Sequence, residues 1–173
     1  MKKVLLSVFA IVIAITSVSA QTKGTSKLSI GAEFGLPVGD FATAFDVGFG
    51  GSVVYQHAVA DKLYLTANAG YVTYQGKVNF LGSNLTFNAD FIPVKAGMKY
   101  FIAKNFYGSA ELGASFATGS GSSGTAFAYS PGLGIEFPVS DKGSVDVGAR
   151  YEAWSNNGTL SFVGLRAAFN FGL

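Results

Sequence analysis

Four carboxylates and four cations fall on one side of a series of alternating segments: Glu111, Glu136, Asp146 and Glu152 with Lys95, Lys99, Arg150 and Arg166. Carboxylates held together can work as an acid–base pair or hold a hard cation. With bases on the same face, a structural ion-pair network is the better reading. The lone histidine, His57, could act as a base beside Ser52 or Asp61. It falls in an expected turn, His57 to Lys62, without an orienting partner, and reads as a solvated turn residue. The glycine runs Gly48 to Gly51 and Gly119 to Gly124 are poor phosphate cradles, because neither a helix nor GK[ST] follows. The absence of Cys excludes disulfides, thiolate metal sites and a lipid-modified cysteine. No enzyme, cofactor or metal site is expected.

What must position these charges is a repeat of period two. In Ser144 to Trp154, Val145, Val147, Ala149, Tyr151 and Ala153 alternate with Asp146, Gly148, Arg150, Glu152 and Trp154. Side chains alternate across a strand, so one face is apolar and the other charged. Similar segments run at about Leu28–Leu36, Val47–Gln56, Leu63–Tyr74, Phe91–Ile102, Phe106–Ala117, Ala126–Phe137 and Leu160–Leu173. Loops are expected at about Pro37–Asp46, Gln75–Asn88 and Thr118–Thr125, and short turns at Ala103–Asn105 and Pro138–Gly143. Ser155-Asn156-Asn157-Gly158 is a hairpin signal. The expected strands, about 9 to 13 residues long, match membrane-spanning strands of 9–11 better than globular ones of 5–6.

The charges say which face is wet. Glu33, Lys95, Lys99, Glu111, Glu136, Asp146, Arg150, Glu152 and Arg166 all share the small or polar face. Asp90 has the opposite parity, at a loop end. A Lys or Arg facing lipid at mid-depth costs about 2–4 kcal/mol, so the charged face belongs inside. Eight strands leave room for side chains and no wide channel, so opposed charges would plug the lumen. Tyr55, Tyr71, Phe106, Phe116, Phe127, Phe137 and Phe171 lie near strand ends, as aromatic girdles do. Pro93 and Pro131 interrupt expected strands and read as bulges.

Composition agrees. Charged residues make up 13% of the 173, against about 25% in soluble domains, and mean hydropathy is +0.37. Net charge is +2, too small for a polyanion-binding field, so no nucleic-acid partner is expected. Met1 to Ala20 reads as a secretory signal peptide, with basic Lys2 and Lys3, an apolar run from Val4 to Ile15 and small residues before Gln21. Residues 21–27 form a short polar lead, and 28–173 an all-β, eight-stranded, antiparallel, up-and-down transmembrane barrel.

The chain resembles the outer membrane protein β-barrel domain family, the small OmpX- and OmpA-type, porin-family-like barrels of Gram-negative bacteria. The resemblance rests on GLPVGDF at Gly35 to Phe41, VADKLYLTANAGY at Val59 to Tyr71 and the alternating end FNFGL. It implies outer-membrane location, outer-membrane lipids as surroundings, and barrel-assembly machinery as a partner during insertion. Family members often end on an aromatic residue; this chain has Phe171-Gly172-Leu173. The family supplies no catalytic residues. The expected role is structural or interactional, through external loops whose partner the sequence does not name. Two other readings stay open. One is a secreted lipocalin-like barrel with its apolar face turned inward on a small ligand. The other is a narrow porin-like pore.

Overall fold

The computed structural model describes residues 24–80, 83–119 and 122–173; the expected signal peptide and residues 21–23 lie outside them. The period-two segments are strands: β1 (Ser26–Val38), β2 (Phe45–Ala60), β3 (Leu63–Phe80), β4 (Ser83–Phe101), β5 (Phe106–Gly119), β6 (Ser122–Ser140), β7 (Gly143–Ser155) and β8 (Thr159–Gly172). Each pairs antiparallel with the next, and β8 returns to β1, closing an up-and-down barrel. Closure leaves no open sheet edge. Among the described residues no helix is long and apolar enough to cross a membrane, which does not bear on crossing by strands.

The strands are 13–19 residues long, longer than alternation alone suggests. The expected loop Gln75–Asn88 is mostly strand, because β3 and β4 pair out to Phe80 and Ser83. The expected loop Thr118–Thr125 is likewise taken up by β5 and β6, which pair out to Gly119 and Ser122. In the second stretch both faces are polar, and in the first the apolar residues Val78, Phe80, Leu85 and Phe87 take the parity of the lumen residues, so the ladder continues where the apolar-outward pattern stops. At the other end, which we call the turn end, the chain reverses at Asp61–Lys62, around Lys104 and at Asp141–Lys142. His57 is therefore a residue of β2, not of a turn. Its Nδ1 lies 2.9 Å from Ser26 Oγ.

A four-residue helix, α1 (Phe41–Ala44), stands between β1 and β2 where a plain loop is expected. It folds inward over the barrel mouth, and Phe41 is fully buried.

The sequence reading puts bulges at Pro93 and Pro131; the structure has none there. The β3–β4 register is the same on either side of Pro93, from Ala69↔Val94 to Val72↔Phe91, and the ladder skips the pairs between. The β6–β7 ladder does the same around Pro131, between Tyr129↔Ala153 and Gly132↔Arg150. On its other side each proline stays in register, with Ser115 and Ala110 of β5. A residue in an antiparallel ladder directs its N–H toward one neighbour only. The missing donor therefore costs one local gap and no extra residue. Irregular register occurs instead near Asp46, Val59 and Val139.

Candidate functional site

Every strand sends alternate side chains inward, and these meet in the lumen. All nine charged residues singled out above point there. Glu33, Lys95, Lys99, Glu136, Asp146 and Glu152 are buried, and Glu111, Arg150 and Arg166 half-buried. A tenth charge joins them. Lys27 belongs to β1, not to the lead, and shares inward parity with Ser29 and Glu33.

The ten form two networks. In the first, Glu152 lies at the centre. It accepts from Lys95 Nζ at 2.7 Å, Arg150 Nε at 2.6 Å and Trp154 Nε1 at 2.8 Å. Lys95 also faces Glu111 at 3.4 Å, and Arg150 reaches Glu33 at 2.6 Å. Arg166 faces Glu33 at 3.3 Å and donates to Ser52 and Ser29. In the second network Glu136 accepts from Lys27, Lys99 and Ser144, and Asp146 accepts from Lys99 and Tyr107. Glu136 and Asp146 are directly opposed across β6 and β7, where like charges repel. Lys99 Nζ sits within 2.7 Å of both and turns the repulsion into a bridge. The first network has three acids and three bases and the second two of each, so both are neutral. Charges withdrawn from water demand such pairing.

Aromatic side chains cover the first network toward one end and flank the second at the other, where Lys27 and Glu136 line a pocket of about 290 Å3. Toward the end opposite the turn end, where β3–β4, β5–β6 and β7–β8 connect and which we call the hairpin end, Phe41 of α1 packs with Tyr74, Trp154 and Phe162, with Phe91 beside Trp154 at 4.7 Å between ring centroids. Toward the turn end, Tyr64, Phe101 and Tyr107 cluster with Ala58. Lys99 Nζ lies 3.9 Å from the Tyr107 ring centroid, a cation–π contact. Each of two tyrosines rests on a cross-strand glycine pair. Tyr74 lies over Gly35 and Gly48, and Tyr107 over Gly134 and Gly148. A Cβ at Gly48 or Gly134 would run into the ring. Between the caps is a cavity of about 70 Å3 lined by residues including Gln56, Asn68, Asp146 and Arg166. That is room for a few waters and not a channel.

The outer face is the reverse. Val53, Tyr71, Val94, Leu112, Leu133 and Val147 stand out from mid-strand, with Leu65, Met98, Tyr100, Phe106, Phe116 and Phe127 nearer the ends. The apolar face is thus outside, which overturns the lipocalin-like alternative, in which it would line the interior. The sequence reading missed the inward aromatics. For Tyr64, Tyr74, Tyr107 and Phe162 the signal was their parity, shared with the polar residues. For Phe41, in a loop, there was none. Among the described residues no three potential ligands of the His, Cys, Asp or Glu type come together as a metal site.

No family profile and no curated protein matches the sequence. Solved structures do match. OprG of Pseudomonas aeruginosa superposes with a TM-score of 0.64 at 12% identity, over 91% of this chain and 99% of that one. Neisserial surface protein A gives 0.60 at 14%, over 84% and 96%. Ail of Yersinia pestis, in complex with the heparin analogue sucrose octasulfate, gives 0.54 at 17%, over 87% and 100%. The chain has the fold of the small outer-membrane barrels. At these identities the likeness speaks for the fold, and the barrel's role has to be argued from its own side chains.

Proposed function

We propose that the chain is an integral outer-membrane barrel of a Gram-negative bacterium, with a lumen closed by ion pairs and aromatic caps. Its role is structural or interactional, through the hairpin end, and it carries no catalytic group. The observation that carries this reading is the sorting of side chains. Ten charges meet inside in two neutral networks, and mid-strand leucines and valines face outward. Water outside such a belt would be costly; lipid suits it. The long β3–β4 and β5–β6 ribbons run out at the hairpin end, which suits the exterior, and the turn end then suits the periplasmic side. The hairpin end carries Asp40, Asp46 and Asp90 against Lys77, a net negative charge. A polyanion of the kind solved with Ail is therefore not the partner expected here.

The test is fractionation followed by gel migration with and without boiling. The barrel should fractionate with the outer membrane and change mobility on heating. Recovery as a soluble periplasmic protein without a shift would refute it. Leu112, half-way along β5 and 58% exposed, gives a second test. Leu112→Arg should lower stability in vesicles by about 2–4 kcal/mol, measured by urea titration. An unchanged titration would mean that this face does not meet lipid.

The closed lumen has its own test, in planar bilayers. The wild type should show no steady conductance. Phe41→Ala combined with Arg150→Ala and Glu152→Ala removes the outer stopper and the central pair, and should produce a measurable leak. Open channels in the wild type, or a silent triple variant, would count against these residues as the seal.

A further inference from the structure

The turn end of the barrel is not sealed flat. The pocket of about 290 Å3 opens there, between the starts of β1, β3 and β7 and the ends of β6 and β8. That is close to the lower limit of small-ligand pockets, about 300 Å3. Its inner side carries Lys27, Tyr64, Glu136, Ser144 and Asn170, and its rim Lys104, Asn105, Ser140, Asp141 and Lys142.

The groups left over on these walls decide what fits. Glu136 is satisfied, because it accepts from Lys27, Lys99 and Ser144. Ser144 in turn accepts from Asn170. The Lys27 ammonium has three N–H groups and gives one to Glu136 at 2.6 Å. It lies 5.1 Å from the Tyr64 ring centroid. The Tyr64 hydroxyl is fully buried, with Thr25 alongside, and has no hydrogen-bond partner among the described residues. A buried hydroxyl is costly to leave unpaired, so it points to a partner from outside the chain. Lys104 is engaged within the chain, whereas Lys142 forms no ion pair among the described residues.

We propose that the turn-end pocket binds a phosphate-type oxyanion, with Lys27 and Tyr64 as its floor and Lys142 as the cation at its rim. The unused groups are donors: the remaining N–H groups of Lys27, the Tyr64 O–H and the Lys142 ammonium. A metal cation would find only Asp141, since Glu136 is already held by two lysines. An apolar ligand would have to cover the charge of Lys27. Phosphate has acceptor oxygens on all sides and meets donors from floor and rim together, and lysine is a common partner for it. The membrane reading above gives the compartment, the periplasm; the site itself stands without it.

The barrel in detergent micelles is titrated with inorganic phosphate at constant ionic strength, by calorimetry. The wild type should bind one phosphate. Tyr64→Phe removes only a hydroxyl without a partner. Its urea unfolding without phosphate should match the wild type, while phosphate affinity drops about tenfold. Lys142→Ala should weaken binding about threefold, and Asp141→Asn, which removes the rim carboxylate, should tighten it by about as much. Lys62→Ala, at another reversal of the same end and outside the pocket, should change nothing. Glycerophosphoglycerol, the soluble headgroup of phosphatidylglycerol, separates two sources of the phosphate. Binding at least as tight as inorganic phosphate assigns a lipid headgroup; weaker binding assigns the free anion. No binding by the wild type, or equal affinity in Tyr64→Phe, would overturn the site. So would a loss of stability in phosphate-free Tyr64→Phe, or shifts of the same sign in Lys142→Ala and Asp141→Asn.

Discussion

Replacing Glu152 with Ala should cost about 3–5 kcal/mol of folding stability, the usual penalty for stripping one partner from a buried charge cluster. Glu152 is fully buried and holds Lys95, Arg150 and the Trp154 indole at once. Without it the first network keeps three cations against two acids, Glu33 and Glu111. Lys95 retains Glu111 only at 3.4 Å, and Arg150 retains Glu33. The indole N–H loses its acceptor under the outer cap. Urea titration in vesicles gives the number. A second variant separates charge from packing: Glu152→Gln keeps an acceptor for Trp154 and loses the charge, so it should fall between wild type and Glu152→Ala. A loss under about 1 kcal/mol for Glu152→Ala, the range of an exposed pair, would mean that water reaches the network.

The second large effect is expected at a glycine. Gly134→Ala puts a methyl where the Tyr107 ring lies. Overpacking of this kind costs about 1–3 kcal/mol. The displaced Tyr107 hydroxyl would also lose its 2.7 Å bond to Asp146, and hydrogen bonds to charged groups contribute about 1.5–3 kcal/mol. The two together suggest a loss of about 3–5 kcal/mol, with the turn-end cap opened. Gly108→Ala should do the opposite. Gly108 lies on the outer face, where a Cβ would make only ordinary contacts with Ile102 and Leu133, and a methyl there restricts the unfolded chain, a gain of up to about 1 kcal/mol. The pair is a comparison of one substitution on two faces. Equal effects would contradict the inward placement of Tyr107.

Much of this was legible in the sequence because the barrel has two opposed solvents. Alternation sorts residues between lipid-like and lumen-like surroundings, so parity alone places Glu33, Lys99 or Arg166 inside. The same parity would have placed Lys27, Tyr64 and Tyr107 there too. Lys27 is missed by a first strand that starts at Leu28, and Tyr64 and Tyr107 are missed when only the charged residues are sorted by parity. Other features carry no local signal. Between Gln75 and Asn88 the apolar residues change parity, so the apolar-outward pattern does not mark how far β3 and β4 pair. Phe41 sits in a loop, and its burial is decided by Tyr74, Trp154 and Phe162, all far along the chain. The prolines misled for a different reason. A ladder can drop one donor and keep its register, and only the register shows that.

The central claim is that the apolar face meets lipid and the charged face does not. Tryptophan quenching by lipids brominated in mid-chain tests it directly. The chain has a single Trp, Trp154, 1% exposed inside the lumen. In vesicles of brominated phosphatidylcholine its emission should be nearly unquenched. Leu112→Trp in a Trp154→Phe background should be strongly quenched, because position 112 faces outward at mid-strand. Strong quenching of Trp154 with a silent Trp at 112 would turn the barrel inside out and contradict the account.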